Sequence, residues 1–500
     1  MHRNRSSRRT RILGALLGVS VLVLAACSSD DEPSGGTDDE VTTTVGDGST
    51  TTVGDIGPIE SLDDLEGLDG AALRAAQAEL VAGIAADPFT CEAAPADAAL
   101  EASDTGVSAD AIKVGFIEAD LEAILPLGLA VDLGDEGGNF EAIMELINEC
   151  GGINGRTIDV TVYNYNVADV NEGRQRCTEA TEEDENFVVV TRVFIQDLPL
   201  CITESNETPL IINSSGTDEF YDRSAGRLIT VNASEARIAE HALEVFTAEG
   251  IISEASVVGL VWADVVDQTV LIDNTLRDGL AATGATVVEA QIEQANPLAC
   301  SGFSTAVQKL VDAQADTVLA IVGGPCYGDF VIEAANQGFF PQYLTIDKSG
   351  MTSNVGTSKM PQAGDAFEGA YGVTLTPGEL GVLDQPEVPY EWDRRCNEIL
   401  AELTGNQLEF PSDPYAASNG PCTSAYILIE ALKAAGPDLT RDGFLAALPE
   451  IGPVPASGDI VMSGFANGLT EGPADVAYLI QWSLDCECWA TVSDPKRVGG

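Results

Sequence analysis

The sequence Cys-Gly-Gly-Ile-Asn-Gly-Arg at residues 150–156 indicates the local fold most directly. Its two glycines can end a helix over 139–149, because glycine readily adopts the left-handed backbone conformation found beyond helix C-termini. The Asn-Gly pair that follows is typical of a tight turn. An apolar run over 158–163 begins directly after this turn. The stretch therefore predicts a helix, a turn and a strand, in this order.

Apolar runs and amphipathic stretches alternate on both sides of this turn, from residue 111 onward. Such alternation is typical of strand–helix–strand units that build a parallel sheet. We predict strands at 112–117, 158–163, 187–194, 210–212, 256–262, 286–289, 317–322, 343–346, 459–462 and 476–482. We predict helices at 139–149, 234–248, 268–282, 303–314, 327–337, 389–403 and 420–434. The pattern divides near residue 232, which predicts an α/β fold of two doubly wound, Rossmann-like lobes.

The N-terminus has the pattern of an export signal. Five arginines stand among the first eleven residues, and residues 12–26 contain only apolar residues, Gly and Ser. These 15 residues are shorter than the roughly 20 that a membrane-spanning helix needs. The run ends in Leu-Ala-Ala-Cys at 24–27, which is similar to the bacterial lipobox. We therefore expect a signal peptide, lipid on Cys27, and a protein anchored at the extracytoplasmic face of the cell membrane.

Two further segments precede the lobes. Residues 27–59 are rich in Thr, Gly and Asp and repeat Thr-Thr-Thr-Val-Gly-Asp, which indicates a flexible acidic tether. Helical composition over 69–86 predicts a short helix of unassigned role. The predicted organisation is a signal peptide at 1–26, the tether at 27–59, an N-terminal extension at 60–110, lobe 1 at 111–232 and 373–458, and lobe 2 at 233–372 and 459–500.

Charge and histidine content exclude several classes of function. The chain has 80 acidic residues against 24 Lys and Arg, and its net charge of -56 would repel nucleic acid. His2 and His241 are its two histidines, so a histidine-based zinc site or an enzyme with a histidine base lacks its parts. The acidic run at 63–70 lacks the ligand spacing of an EF-hand. We expect no enzyme activity, no cofactor and no metal site, and we interpret the acidic excess as salt adaptation or lineage composition.

Cysteine usage indicates disulfides. Eleven cysteines minus the acylated one leave an even number in an exported protein. Spacing leads us to expect the pairs Cys177–Cys201, Cys300–Cys326 and Cys396–Cys422. Cys91, Cys150, Cys486 and Cys488 stay unassigned, and the alternative for all ten is a buried free thiol.

A series of short motifs follows in chain order over about 380 residues. They are Ile-Lys-Val-Gly-Phe at 112–116, Gly-Gly-Ile-Asn-Gly-Arg at 151–156, Ala-Thr-Glu-Glu-Asp at 180–184 before the strand that starts at Phe187, Thr-Pro-Leu-Ile at 208–211, the turn and strand at 284–288, Ala-Asp-Thr-Val-Leu at 315–319, the helix at 425–435, and Ala-Tyr-Leu-Ile-Gln-Trp at 477–482. The ordered series resembles the leucine/isoleucine/valine-type branch of the periplasmic binding proteins.

This resemblance implies the type I periplasmic binding protein fold, in which a hinge of three crossings joins the two lobes. It implies a monomer that binds a small molecule in the cleft between the lobes and delivers it to the permease subunits of an ABC importer. The expected ligand is an amino acid of the branched-chain type or an amide. The alternative is a sensory lipoprotein with the same fold and no permease.

Ligands of open α/β sheets contact the loops at the carboxyl ends of strands, where helix N-termini and free N–H groups converge. This rule selects the candidate ligand-binding residues Glu118, Gln196, Asp197, Ser214, Ser215, Thr217, Trp262, Asp264, Tyr327 and Asp347. The hydroxyls suit a ligand carboxylate, Trp262 and Tyr327 suit apolar walls, and Asp347 suits an ammonium group. Asp197 and Asp264 have the alternative role of helix N-caps, and Tyr327 that of helix packing.

The loop after the third strand departs from the family pattern. Amino-acid-binding relatives usually place serines there, whereas residues 191–197 read Thr-Arg-Val-Phe-Ile-Gln-Asp. Arg192 is a candidate replacement for those donors, and its alternative is a solvated surface charge. Because acids dominate the predicted cleft loops of lobe 2, we expect a zwitterion, an amide or a cation rather than an anion.

Overall fold

The computed structural model describes the chain at residues 59, 61–96, 98–122, 124–125, 132–167, 169–192, 198–230, 232–263, 265–296, 299–346, 359–375, 389–410, 412–456, 460–462, 465 and 476–499. The predicted signal peptide, Cys27 and the tether up to residue 58 lie outside these ranges. No helix within them is long and apolar enough to cross a membrane.

Five strands in the described part of the chain form the first sheet, and all of them are parallel. They are β1 (Ala111–Asp120), β2 (Thr157–Asn166), β3 (Val188–Thr191), β4 (Leu210–Ile212) and β5 (Leu228–Thr230), in the spatial order β2-β1-β3-β4-β5. The sequence predicted the first four. It missed β5, the strand that pairs with β4 at the edge of this sheet.

The second sheet has the spatial order β15-β14-β11-β10-β9-β6-β7-β8, and β16 pairs with β14. Its strands are β6 (Val257–Ala263), β7 (Thr286–Asn296), β8 (Ala299–Ser301), β9 (Thr317–Ile321), β10 (Gln342–Ile346), β11 (Tyr371–Thr374), β14 (Val476–Ser483), β15 (Cys488–Thr491) and β16 (Lys496–Arg497). Strands β6, β7, β9, β10 and β11 are parallel, and the others run antiparallel to their partners. A small hairpin contains β12 (Val454–Ala456) and β13 (Ile460–Met462).

Helices cover both faces of the two sheets. In chain order they are α1 (Gly70–Ala85), α2 (Glu136–Glu149), α3 (Val170–Thr178), α4 (Leu198–Leu200), α5 (Asp218–Ser224), α6 (Glu235–Ala248), α7 (Val266–Leu271), α8 (Arg277–Ala282), α9 (Phe303–Asp312), α10 (Gly324–Asn336), α11 (Met360–Ala363), α12 (Glu391–Thr404), α13 (Asp413–Ala417), α14 (Asn419–Ala435) and α15 (Arg441–Ala447). Short helical turns lie at Leu62–Leu65, Glu179–Glu183, Cys201–Ser205, Ile272–Leu276, Gly364–Phe367 and Leu448–Glu450. Side chains cap several helices, for example Ser234 at the start of α6.

The stretch at 150–156 adopts the predicted helix end, turn and strand. Gly152 has a φ of 76°, and a Cβ there would overlap the carbonyl of Arg156, so the turn requires glycine. Arg156 is 1% exposed, and its guanidinium donates hydrogen bonds to the carbonyls of Ser108 at 2.8 Å, Pro437 at 2.8 Å and Glu101 at 3.1 Å. The turn therefore joins the N-terminal extension to the first lobe.

Apolar clusters lie on both faces of each sheet. On the first sheet, the larger cluster holds α1, α2, α12 and α14 against β1, and a smaller one holds α3 and the turn Cys201–Ser205 on the other face. On the second sheet, one cluster contains α9 and α10, and the other contains α6 and the helix that spans α7 and α8. Residues 391–456, which follow β11 of the second sheet in the chain, thus pack on the first lobe.

The chain passes between the lobes three times in this arrangement. It passes from β5 to α6, from β11 to α12, and from β13 to β14. The expected fold of two Rossmann-like lobes with three crossings is confirmed.

The three predicted disulfides, Cys177–Cys201, Cys300–Cys326 and Cys396–Cys422, are present. Two more pairs, Cys91–Cys150 and Cys486–Cys488, use the cysteines that spacing left unassigned. Cys91–Cys150 ties the N-terminal extension to the end of α2, so the extension is covalently attached to the first lobe.

Candidate functional site

The candidate site lies at the carboxyl ends of the parallel strands. Two crossings leave the sheets at these ends, after Thr230 of β5 and after Thr374 of β11. The space between the lobes therefore borders the loops that follow the strands, which is where open α/β sheets bind ligands.

Glu118, near the end of β1, is held by the first turn of α2. Its Oε1 accepts hydrogen bonds from the N–H groups of Glu136 at 3.0 Å and Gly137 at 3.4 Å. Burial raises the pKa of Glu118, and the Gly137 hydrogen bond opposes that rise. The carboxylate thus caps a helix, and its predicted contact with a ligand stays a prediction.

Arg192, the residue after β3, forms an ion pair that the sequence did not indicate. Its Nη1 lies 2.8 Å from Oε1 of Glu136 and also donates to the carbonyl of Ala417 at 2.8 Å. Glu136 is buried. Burial raises its pKa, and Arg192 opposes this by its charge and its hydrogen bond. The interpretation of Arg192 as a solvated surface charge is therefore wrong.

The loop after β4 carries the predicted hydroxyl groups. Ser214 and Ser215 are half-buried, and Thr217 is buried in front of α5. The carbonyl of Ser214 accepts a hydrogen bond from Oγ1 of Thr230 at 2.8 Å, so the end of β5 holds this loop in place. The structure brings these three residues to the same sheet edge as Glu118 and Arg192.

The start of α14 lies close to this loop. A Cβ at Gly420 would lie 3.0 Å from Nδ2 of Asn213 and 3.3 Å from Nη1 of Arg192. These distances are tighter than ordinary contacts, so the approach favours glycine at this position. The sequence does not indicate Glu136 and Gly420 as site residues, because their proximity to the sheet edge depends on partners far away in the chain.

In the second lobe, Trp262 is half-buried near the end of β6 and packs against the cluster that contains α6. The next residue along β6, Ala263, donates its N–H to Oε1 of Gln268 at 2.8 Å. Gln268 Nε2 in turn donates to Oε1 of Gln294 at 3.3 Å. The wall role of Trp262 stays a prediction, and the two glutamines are neighbouring polar groups that the sequence did not indicate.

Tyr327 requires a correction. It is 0% exposed, its hydroxyl donates to the carbonyl of Leu344 at 2.7 Å, and its ring packs edge-on against Tyr343 and Phe367. The expectation that it forms a pocket wall is wrong, because every face of the ring belongs to the core of the second lobe. The alternative of helix packing is correct.

Four predicted ligand contacts, Gln196, Asp197, Asp264 and Asp347, lie outside the described residues. Within the described ranges, no group of three or more His, Cys, Asp or Glu side chains could hold a metal ion. His241 is buried in α6, beside Gly499.

Comparison with known proteins found one matching family and a set of similar solved structures. The model of a family described as periplasmic binding protein matches residues 137–482. No curated protein matches the chain. A solved substrate-binding protein of a fatty acid ABC transporter from Thermomonospora curvata is 17% identical, with a TM-score of 0.56, and the alignment covers 79% of this chain and 95% of that chain.

Two further solved structures are similar to the same extent. A branched-chain amino acid ABC transporter protein from Thermus thermophilus with bound valine is 15% identical, with a TM-score of 0.55 and coverage of 78% and 98%. A solute-binding protein of an ABC transporter from Rhodopseudomonas palustris in complex with 3,4-dihydroxybenzoic acid is 16% identical, with a TM-score of 0.53 and coverage of 78% and 98%. At these identities the likeness concerns the fold.

Proposed function

Because the chain belongs to the family of periplasmic binding proteins, we propose that it is the extracytoplasmic substrate-binding lipoprotein of an ABC importer. It captures a small polar ligand between its lobes and releases that ligand to permease subunits in the membrane. The observation that carries the proposal is the polar edge of the first sheet, where Glu118, Arg192 and the loop at 213–217 border the space between two lobes joined by three crossings.

Ligand capture in this proposal is a closure of the two lobes and involves no bond chemistry. A ligand that contacts both lobes stabilises the closed arrangement by the difference in its affinity for the closed and open forms. Glu118 and Arg192 already have protein partners, so they hold the wall of the first lobe in one shape. Such a preorganised wall reduces the entropy that binding must overcome.

The charges of this wall support a ligand without net negative charge. The N-terminus of a helix attracts anions, but the first N–H groups of α2 already bind the carboxylate of Glu118. This wall carries two acidic side chains, Glu118 and Glu136, and one basic side chain, Arg192. A ligand carboxylate would therefore depend on the amide and hydroxyl groups of Asn213, Ser214, Ser215 and Thr217.

We accordingly propose an amino acid of the branched-chain type, or an amide, as the ligand. Asp347 remains the proposed partner of the ammonium group of such a ligand. The structural relatives are described with valine, with a fatty acid transporter and with a dihydroxybenzoic acid, so the fold itself accommodates several ligand classes. The side chains at the strand ends decide which class binds.

Anchoring by lipid on Cys27 is part of the same proposal. The disulfides support an oxidising compartment outside the cytoplasm. A tether of about 30 flexible residues has a root-mean-square span of about 30 Å, which would let a monomer reach its permease from a fixed anchor.

A thermal-shift screen with a charge-matched series tests the ligand class. Leucine, leucinamide and 4-methylpentanoate share one side chain and carry net charges of about 0, +1 and -1 near neutral pH. At 100 times its dissociation constant, a ligand of the native state adds about 2.7 kcal/mol to the free energy of unfolding. We expect a shift with leucine or leucinamide and none with 4-methylpentanoate. A shift with 4-methylpentanoate alone would contradict the proposed ligand class.

A variant pair locates the bound ligand. Ser214→Ala with Ser215→Ala removes two hydroxyls from the loop after β4 and should abolish the shift. Ser304→Ala removes an exposed hydroxyl of α9 that accepts from Gln337, so it should keep the shift. Small-angle scattering should record compaction when the ligand is added. An unchanged scattering curve at saturating ligand would contradict lobe closure.

The importer role needs a transport measurement in cells. Deletion of the gene should abolish uptake of the ligand that the screen identifies, and restoration of the gene should recover it. Normal uptake in the deletion strain, together with tight binding by the purified protein, would contradict the importer role and favour the sensory alternative.

A further inference from the structure

Two segments outside the family match contact each other near the hinge. The first is the N-terminal segment 61–85, which contains the turn Leu62–Leu65 and α1. The second is β16 at the C-terminus. We refer to the two together as the clasp. The family match covers residues 137–482, so neither segment lies within it.

Arg497 of β16 forms the polar part of the clasp. Its Nε donates to the carbonyl of Leu68 at 2.9 Å, and its Nη2 donates to the carbonyl of Leu65. The backbone of Arg497 is paired with Val476, the first residue of β14 after the third crossing. One residue thus joins the N-terminal segment to a strand that emerges from the hinge.

A second contact lies one turn further along the segment. The guanidinium of Arg74 in α1 lies 5.6 Å from the centroid of the Tyr478 ring. Tyr478 is 3% exposed and belongs to the same apolar cluster as Leu73 and Leu80 of α1. In the sheet it pairs with Thr374, beside the second crossing. The clasp therefore contacts β14, the strand that follows the third crossing, and β14 pairs here with β11, the strand that precedes the second crossing.

The two halves of the clasp are fixed to different lobes. Helix α1 packs on α12 and β13 of the first lobe, and the Cys91–Cys150 disulfide holds the end of the extension there. Strand β16 belongs to the second lobe. Lys496 forms an ion pair with Glu249, and the N–H of Gly499 donates to Oε2 of Glu244 at 3.1 Å, which attaches the tail to the end of α6.

We propose that the clasp restricts the opening of the lobes and thereby sets how far the unliganded protein opens. Opening rotates the second lobe about the crossings, so it must move Tyr478 and Arg497 relative to α1. Each step of that movement strains or breaks the contacts of Arg74 and Arg497. The importance of this restriction for ligand capture rests on the proposed function, whereas the restriction itself is a property of the unliganded chain.

The test measures the distance between the lobes without any ligand. Spin labels on noncanonical residues replace exposed Glu182 in the first lobe and exposed Asp312 in the second, because the disulfides make cysteine labelling unsuitable. Pulsed electron–electron double resonance on the full chain then gives the distribution of distances between the two spin labels. Arg74→Ala with Arg497→Ala should broaden this distribution at least 1.5-fold. A distribution with the wild-type width and mean would overturn the proposal.

Two further variants separate the clasp from a general loss of stability. Arg223→Ala removes an arginine that pairs with Glu204 and Glu219 inside the first lobe, and it should leave the distribution unchanged. Arg497→Lys keeps the charge but loses the two separate nitrogen donors of the guanidinium, so it should give a distance distribution of intermediate width. If the double variant loses its near-ultraviolet circular dichroism, Arg497→Ala alone decides the test. Equal broadening in Arg223→Ala and Arg497→Ala would also overturn the proposal.

Discussion

Arg192 and Glu136 are 56 residues apart in the sequence, and their side chains form a 2.8 Å ion pair at the carboxyl edge of the first sheet. The same guanidinium nitrogen donates to the carbonyl of Ala417, so one side chain joins the end of β3, α2 and the end of α13. A buried carboxylate without a partner is strongly unfavourable. The pair therefore keeps the wall of the candidate site in one arrangement.

Arg192→Met should destabilise the protein by about 3 kcal/mol at pH 7, because buried Glu136 loses its counter-charge. Burial already raises the pKa of Glu136, and loss of Arg192 raises it further. As the pH falls below the ordinary glutamate pKa of about 4.3, Glu136 becomes protonated in the folded and the unfolded chain, so the destabilisation should become smaller there. It should grow as the pH rises through the folded-state pKa. Urea unfolding at pH 4 and pH 7 measures the difference.

Arg223→Met is the control for this prediction, since the ion pairs of Arg223 with Glu204 and Glu219 are exposed. It should change stability little at either pH. Equal destabilisation by Arg192→Met at both pH values would contradict the assigned role of the pair.

Gly420→Ala should weaken ligand binding at least fivefold, because the added methyl group crowds Asn213 and Arg192 at the edge of the site. The matched control is Gly173→Ala in α3, where a Cβ would lie 3.9 Å from the ring of Tyr165. That variant should keep the affinity and gain about 0.5 kcal/mol from helix propensity. Isothermal titration with the ligand from the screen compares the two. Unchanged affinity in Gly420→Ala would place the ligand away from this edge.

Tyr327→Phe should lower the free energy of unfolding by about 1 kcal/mol, because it removes the hydrogen bond to the carbonyl of Leu344. The ligand affinity should not change, since the ring lies in the core of the second lobe. Chemical unfolding and ligand titration of the same preparation give both values. A tenfold loss of affinity without loss of stability would restore Tyr327 to the ligand site.

Removal of Cys396–Cys422 should destabilise the protein by about 3 kcal/mol, because the disulfide closes a loop of 26 residues. Removal of Cys486–Cys488, which are two residues apart, should have less than half of this effect. Urea unfolding of the two paired Cys→Ala variants shows which disulfide contributes more to the free energy of unfolding. A larger effect for the short loop would contradict the explanation that a disulfide stabilises by lowering the conformational entropy of the unfolded chain.

Local pattern was sufficient for most elements. The predicted strands at 112–117 and 158–163 lie within β1 and β2, and the predicted helix at 234–248 matches α6 almost residue for residue. Repeating apolar positions and helix caps act over a few residues, so they are visible in the sequence. Strand β16 has two residues, too few to form a pattern, and it is defined by its pairing with β14.

The α/β class, the two lobes and three of the disulfides could be predicted from the sequence, and ligand binding at the strand ends stays a prediction. These features follow from periodicity, spacing and the order of motifs along the chain. Tertiary structure was needed to show that Arg192 pairs with Glu136, that Gly420 lies close to Asn213, that Tyr327 belongs to the core, and that Arg497 donates to the carbonyls of Leu65 and Leu68. The physical reason is that these contacts join residues far apart in the chain, so burial and partner depend on how whole elements pack.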